Sequence, residues 1–221
     1  MTDIAANYES IMQRIHSAAL RSGRPPNSVQ LIAVTKTVPA ERIQTAIACG
    51  VTHIGENRLQ EGLTKREALA SHPLTWHFIG HVQTNKAKKI AENFDCVHSI
   101  DRLAVGESLN RYVARAPKLP VLIEVKLVAE PNKSGATEEE LPDLVSAMRG
   151  FEKLDLRGLM SVPPPVDDPE GARPYFRKLR RLAEDLGLNE LSMGMTHDFE
   201  VAIEEGATMV RIGTGLFGER S

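Results

Sequence analysis

The feature that most constrains this chain is an alternation. Eight short runs rich in apolar and β-branched residues are each followed by a segment of helical spacing, at intervals of roughly 20 to 35 residues. The strand-like runs are residues 31–36, 51–55, 74–79, 95–100, 120–126, 154–160, 190–193 and 207–212. Between them, Ile43, Ala46 and Ile47 share a helix face within 40–49, Leu59 and Leu63 mark the next helix, and residues 84–93, 102–115 and 169–186 read as further helices. Thr137 and Glu140 form a capping box for a helix ending near Gly150, and Asp101 reads as the N-cap of the helix from residue 102. Such alternation implies parallel strands joined by right-handed crossovers. Eight units in one chain predict an α/β fold, a single (β/α)8 TIM-type barrel that spans residues 1–221 as one domain. A doubly wound open sheet is the alternative. It is disfavoured because no glycine-rich dinucleotide fingerprint follows the first strand. Residues 3–21, with Ile4, Tyr8, Ile11, Met12, Ile15 and Ala19 at helical spacing, precede the barrel as an extra helix or lid.

Composition narrows the partners. A net charge of −2 gives no electrostatic case for nucleic acid or an anionic membrane surface. The longest apolar runs are strand-length, and the first residues lack the pattern of a signal peptide. Cys49 and Cys96 show neither metal-ligand nor redox spacing and read as reduced core thiols. The expectation is a cytoplasmic monomer. The histidines His16, His53, His72, His77, His98 and His197 read as satisfied polar or surface residues, Lys86, Lys88 and Lys89 as a solvated helix face, and Trp76 as core facing the helix layer.

In a barrel, active sites gather at the C-terminal ends of the strands. That rule collects Lys36, Asn57, His81, Ser99, Lys126, Ser161, Thr196 and Arg211 with Gly213 and Thr214. Lys36 closes the first strand, where burial disfavours an ammonium and favours an amine able to form a Schiff base. Snorkelling to solvent is the ordinary alternative for such a lysine. The turn Gly213-Thr214-Gly215-Leu216-Phe217-Gly218 lets backbone N–H groups approach an anion after strand eight, the recurring phosphate position of this fold. Thr196 can add a hydroxyl. Arg211 points from strand eight toward the same centre. A strand-one lysine for an aldehyde, a turn for a phosphate and an interior arginine for a pyridine nitrogen describe a site for pyridoxal phosphate.

The sequence blocks strengthen this reading. Leu31-Ile-Ala-Val-Thr-Lys36, Gly55-Glu-Asn-Arg-Leu-Gln-Glu61, Trp76-His-Phe-Ile-Gly80, Gln83-Thr-Asn-Lys86, His98-Ser-Ile-Asp101, Asn132-Lys-Ser-Gly135, Arg157-Gly-Leu-Met160, Leu191-Ser-Met-Gly-Met195 and Val210-Arg-Ile-Gly-Thr214 occur in order along nearly the whole chain. Together they resemble the pyridoxal phosphate homeostasis proteins, single-domain relatives of the alanine racemase barrel. The resemblance implies that Lys36 carries the cofactor as an aldimine, that Arg211 lies near the ring nitrogen, that Thr196, Gly213 and Thr214 serve the phosphate, and that Asn57 and Met195 line the site. Thr196 stands where that family usually has serine, which keeps the hydroxyl. Glu124 and Lys126 stand where glutamine and asparagine are frequent, so no role is carried over to them, nor to His81.

The same residues weigh against turnover. Arginine has no carboxylic proton to give a pyridine nitrogen, and racemisation needs acid–base groups on both faces of the substrate carbon. Tyr8, Tyr112 and Tyr175 all fall in predicted helices. The expectation is a reversible binder that buffers pyridoxal phosphate or passes it to dependent apoenzymes. A small amino-acid racemase or lyase is the alternative.

Overall fold

Parallel pairing closes the eight strands into a barrel in strict chain order. In the computed structural model, which describes residues 3–114, 117–128 and 134–219, the strands are β1 (Gln30–Val34), β2 (His53–Glu56), β3 (Thr75–Phe78), β4 (Cys96–Ile100), β5 (Leu119–Glu124), β6 (Leu154–Met160), β7 (Glu190–Ser192) and β8 (Met209–Ile212). Each pairs with the next, and β8 returns to β1 through Ile32 opposite Arg211 and Ala33 opposite Ile212. The helices are α1 (Ile4–Arg21), α2 (Ala40–Ala48), α3 (Leu59–Ala68), α4 (Ala87–Asn93), α5 (Leu103–Tyr112), α6 (Leu141–Arg149), α7 (Arg173–Asp185), α8 (Phe199–Glu204) and α9 (Thr214–Phe217). The predicted barrel is the observed one.

Strand alternation sorts the side chains into two layers. Outward residues such as Ile54, Trp76, Phe78, Val97 and Ile212 pack against the helices in one large core. Phe78 meets Phe94, just beyond α4, edge-on at 5.1 Å between ring centroids. Inward residues Ile32, Cys96, Leu122, Met160 and Met209 form a separate apolar cluster inside the barrel.

The helix α1 settles as an extra member of the helical ring and not as a lid. Arg14 and Arg21 pair with Glu200 and Glu204 of α8 at 2.6 and 2.8 Å, Arg14 stacks over the Phe199 ring, and Asn7 donates to the Leu216 carbonyl of α9. The Thr137–Glu140 capping box is formed reciprocally: the Thr137 N–H donates to the Glu140 carboxylate at 2.9 Å and the Glu140 N–H to the Thr137 hydroxyl at 3.3 Å.

Three local expectations change. Asp101 does not cap α5; the cap position is Arg102, with no side-chain cap, because the Asp101 carboxylate is taken by the Arg102 guanidinium at 2.8 and 2.9 Å. Residues 84–86 form a 3-10 turn before α4. Strand β1 ends at Val34, two residues before Lys36. Glu130–Lys133, part of the polar loop after β5, lie outside the described residues. Among the described residues no helix is long and apolar enough to cross a membrane.

Candidate functional site

Lys36 belongs to a turn, not to a strand end. The chain leaves β1 at Val34, buries Thr35, exposes Lys36 partly, and reverses at Thr37. Thr37 is the one described non-glycine residue with a positive φ, +62°. A β-branched residue in that region is strained, and such strain persists only where surrounding structure holds it. Lys36 is half-buried in this turn and does not close a buried strand.

The same mouth receives the end of β8. Because β8 pairs with β1, the turn at residues 35–37 and the glycine turn at 213–215 are neighbours, and they share a cleft of about 200 Å³ lined by Val34, Thr37, Pro39, Arg42, Gly213 and Phe217. Thr196, in the loop after β7, accepts a hydrogen bond from the Gly215 N–H at 3.1 Å. A Cβ at Gly215 would sit 2.9 Å from the Thr196 methyl, so a larger residue would drive the two turns apart. With its oxygen held by Gly215, the Thr196 hydroxyl keeps its proton to donate. Met195 precedes Thr196 in that loop; its N–H donates to the Asp198 carboxylate at 2.7 Å. Thr214 is exposed, while Met195, Thr196 and Gly213 are partly buried.

Arg211 fills the centre. Nη1 donates to the Ser192 carbonyl and to Ser192 Oγ, both at 2.6 Å, and Nη2 donates to the Ser161 carbonyl at 2.9 Å. All three acceptors are neutral. Desolvation pushes the guanidinium down to about 10, opposed by the charges of Glu124 and Asp198, so it remains a cation at neutral pH. Across the mouth, burial pushes Glu124 up to about 7 against the pull of Arg211. Glu124 lines a second cleft of about 240 Å³ with Ile79, His81, Lys126, Ser134 and Val162. His81 is exposed and lies between Ser134 Oγ at 3.2 Å and Asp101 Oδ2 at 3.3 Å. Ser99 does not join the centre, since its hydroxyl is spent on the Gly80 carbonyl. Gly80 itself admits no side chain: a Cβ there would lie 2.1 Å from the Asn57 carbonyl, which ties the ends of β3 and β2 together.

Two arrangements escape sequence reasoning. The first is a histidine chain inside the barrel. His53 Nδ1 lies 2.8 Å from His77 Nε2, His77 Nδ1 lies 2.9 Å from His98 Nε2, and His98 Nδ1 lies 2.9 Å from Ser192 Oγ. Arginine only donates, so Ser192 Oγ accepts from Arg211, and its own proton is satisfied by donation to His98 Nδ1. That choice propagates. His98 and His77 are then both neutral Nε2–H tautomers, each donating to the next ring. Burial lowers His77 to about 3, with help from His53, and holds His98 well below the ordinary range, with help from His77 and Arg211. His77, Cys96 and His98 also bring potential metal ligands within 4.8 Å of one another, but the facing ring nitrogens are already joined at hydrogen-bond distance. Alternate positions on β3 and β4 were the available signal for this chain.

The second is an ion triad behind the Lys36 turn. Lys65 of α3 donates to Glu56 Oε1 at 2.7 Å, to Glu61 Oε1 at 2.6 Å and to the Thr35 carbonyl. The i,i+4 spacing of Glu61 and Lys65 is legible in the sequence, whereas their meeting with Glu56 is not.

Comparison with known proteins gives the family. The family model described as alanine racemase, N-terminal domain, matches residues 2–221. The pyridoxal phosphate homeostasis protein of Pseudomonas aeruginosa is 47% identical, the alignment covering 100% of this chain and 97% of that protein. The Escherichia coli protein of the same name is 42% identical, over 100% and 98%. The structure of PipY from Synechococcus elongatus with PLP bound superposes with a TM-score of 0.85 at 37% identity, over 98% of this chain and 100% of that one. Alanine racemase from Corynebacterium glutamicum shares the fold, with a TM-score of 0.66 at 18% identity over 94% of this chain and 60% of that one. The chain belongs to the family of the alanine racemase N-terminal domain, on the branch formed by the pyridoxal phosphate homeostasis proteins.

Proposed function

We propose that this protein binds pyridoxal 5′-phosphate for intracellular vitamin B6 homeostasis, holding it as a reversible Schiff base on Lys36. The observation that carries the reading is the meeting, at one barrel mouth, of the Lys36 turn, the glycine turn with Thr196, and the buried guanidinium of Arg211. These three groups match the three functional groups of the cofactor: a primary amine for the aldehyde, hydroxyl and N–H donors for the phosphate, and a fixed cation for the ring nitrogen. Asn57 Oδ1 and Ser161 Oγ add buried polar atoms with no hydrogen-bond partner among the described residues. In this reading Asn57 and Met195 line the site, and Thr196, Gly213 and Thr214 serve the phosphate. The cofactor supplies an electrophilic carbonyl and an electron-poor ring. The protein's residues hold and orient it.

A binder is favoured over an enzyme. Tyr8, Tyr112 and Tyr175 lie on α1, α5 and α7, within the helical ring. Arg211 is engaged by neutral acceptors and stays a cation, so it lends the ring nitrogen a hydrogen bond more readily than a proton. The partial exposure of Lys36 suits a Schiff base that water must reach for release. The proposal extends to a monomer in the cytoplasm that passes its cofactor to dependent apoenzymes.

The test is the visible absorbance of purified protein mixed with pyridoxal phosphate, with Lys36→Ala alongside. The expected result is a Schiff-base band present in the wild type and lost in the variant, with no amino-acid turnover by either. An equal band in Lys36→Ala would refute the attachment point, and turnover by the wild type alone would restore the racemase or lyase reading.

A further inference from the structure

We propose that Glu56, Glu61 and Lys65 act as a positioning clamp that fixes the direction in which Lys36 leaves the barrel. The inference rests on the assignment of Lys36 as the attachment point and adds what sets its geometry.

The clamp holds the residues on both sides of Lys36. Before it, the Thr35 hydroxyl donates to Glu56 Oε1 at 2.5 Å, and the Thr35 carbonyl accepts from Lys65. After it, the Thr37 N–H donates to Glu61 Oε1 at 2.5 Å. Lys65 joins the two carboxylates at 2.7 and 2.6 Å, so its three donors are all engaged. The Thr35 carbonyl also accepts from the Val38 N–H at 2.9 Å, which closes the turn over Lys36. Three hydrogen bonds thus reach the two residues flanking Lys36 from α3 and the end of β2, and the two Lys65–carboxylate contacts tie their partners together.

Position explains the choice of residues better than stability does. Glu56 and Thr35 are fully buried and Lys65 is 8% exposed, in the apolar layer between barrel and α3. Buried ion pairs are often replaceable by apolar residues of similar volume without loss of stability. Here, moreover, Glu56 Oε2 has no partner among the described residues, and burial raises the carboxyl of Glu56 despite Lys65 and Thr35. Glu61, held by Lys65 and the Thr37 N–H, is shifted down despite its own desolvation. What the triad does secure is a backbone that Thr37 would not adopt alone. Its φ of +62° is unfavourable for a β-branched residue, and Glu61 bonds the N–H of that residue. Released from Glu61, Thr37 can return to an ordinary φ, which swings the Cα–Cβ direction of its neighbour away from the mouth.

The test separates positioning from folding. Wild type, Glu61→Ala, Glu61→Gln, Glu61→Asp, Thr37→Gly and Lys36→Ala are compared for the rate of Schiff-base formation with pyridoxal 5′-phosphate, followed by visible absorbance. Their affinity for pyridoxine 5′-phosphate, which has an alcohol where the aldehyde would be, is measured in parallel. The clamp predicts that Glu61→Ala slows formation tenfold or more while its pyridoxine 5′-phosphate affinity stays within twofold. Glu61→Gln keeps an acceptor oxygen for the Thr37 N–H and recovers most of the rate. Thr37→Gly adopts the same φ without strain and keeps its N–H for Glu61, so it holds the wild-type rate within about twofold. Should Glu61→Ala fail to fold, Glu61→Asp keeps a carboxylate on α3 but falls short of the Thr37 N–H, and slows formation severalfold. A wild-type band with unchanged rates in Glu61→Ala or Glu61→Asp overturns the clamp alone. Equal loss of both ligands in a folded variant overturns it too, as that would be general damage to the site. A band that persists in Lys36→Ala overturns instead the assignment on which the clamp rests.

Discussion

Arg211 shows how much a single side chain must be surrounded before its role is defined. Its planar fork reaches two backbone carbonyls and one hydroxyl on β7 and just beyond β6, a geometry that an ammonium on a flexible stem does not reproduce. Arg211→Lys is therefore expected to leave the Ser161 or the Ser192 acceptors unpaired, weakening pyridoxal phosphate binding about tenfold, the equivalent of one such lost interaction. Titration of the visible band measures this. An unchanged affinity would mean that charge alone suffices at that position.

At the scale of an element, most of the support is local and additive. A reciprocal capping box that the sequence announces through Thr137 and Glu140 closes the turn that leads into α6. Thr137→Ala removes the hydroxyl that accepts the Glu140 N–H, and a loss of about 1 kcal/mol of stability is expected, read as a lower urea midpoint with an unchanged slope. The contrast with Asp101 is instructive. The same reasoning assigns it as a cap, yet the adjacent guanidinium of Arg102 competes for its carboxylate and wins. Local propensity decides where no neighbour offers a stronger partner.

For the molecule as a whole, the polar interior makes stability depend on pH in two opposing ways. His77 is neutral in the native state, its pKa lowered to about 3 by burial and by His53. Its contribution is complete above the unfolded value near 6.5 and is lost as pH falls below it, at about 1.4 kcal/mol per pH unit. Glu124 runs the other way. Its native pKa is raised to about 7, so its contribution is complete below about 4.5 and is lost as pH rises toward 7. Between those limits the two offset each other. Glu124→Gln removes the opposing group, and its stability relative to the wild type is expected to rise between pH 4.5 and pH 7 by an amount on the order of 3 kcal/mol. Urea midpoints at the two pH values test this; a constant difference would show that Glu124 stays ionised in the native state.

Periodicity and punctuation by themselves determined the barrel: eight apolar runs with helical segments between them, stopped by residues such as Gly50, Gly150, Gly187 and Gly206, admit few other parallel arrangements. They also delivered Lys36, Thr196, Arg211 and Gly213 to one face, because strand ends in a barrel share a rim. Only the tertiary structure decided how those residues are held. His53, His77 and His98 are separated by 24 and 21 positions, as Glu56 is from Thr35 by 21, and no local signal says that rings or carboxylates so spaced will meet. Their meeting follows from strand register, which fixes which alternate side chains point inward and at what height. The strained turn at Thr37 was hidden for the same reason. Its conformation is imposed by partners from α3, and a backbone held by distant groups leaves no trace in the propensities of its own residues.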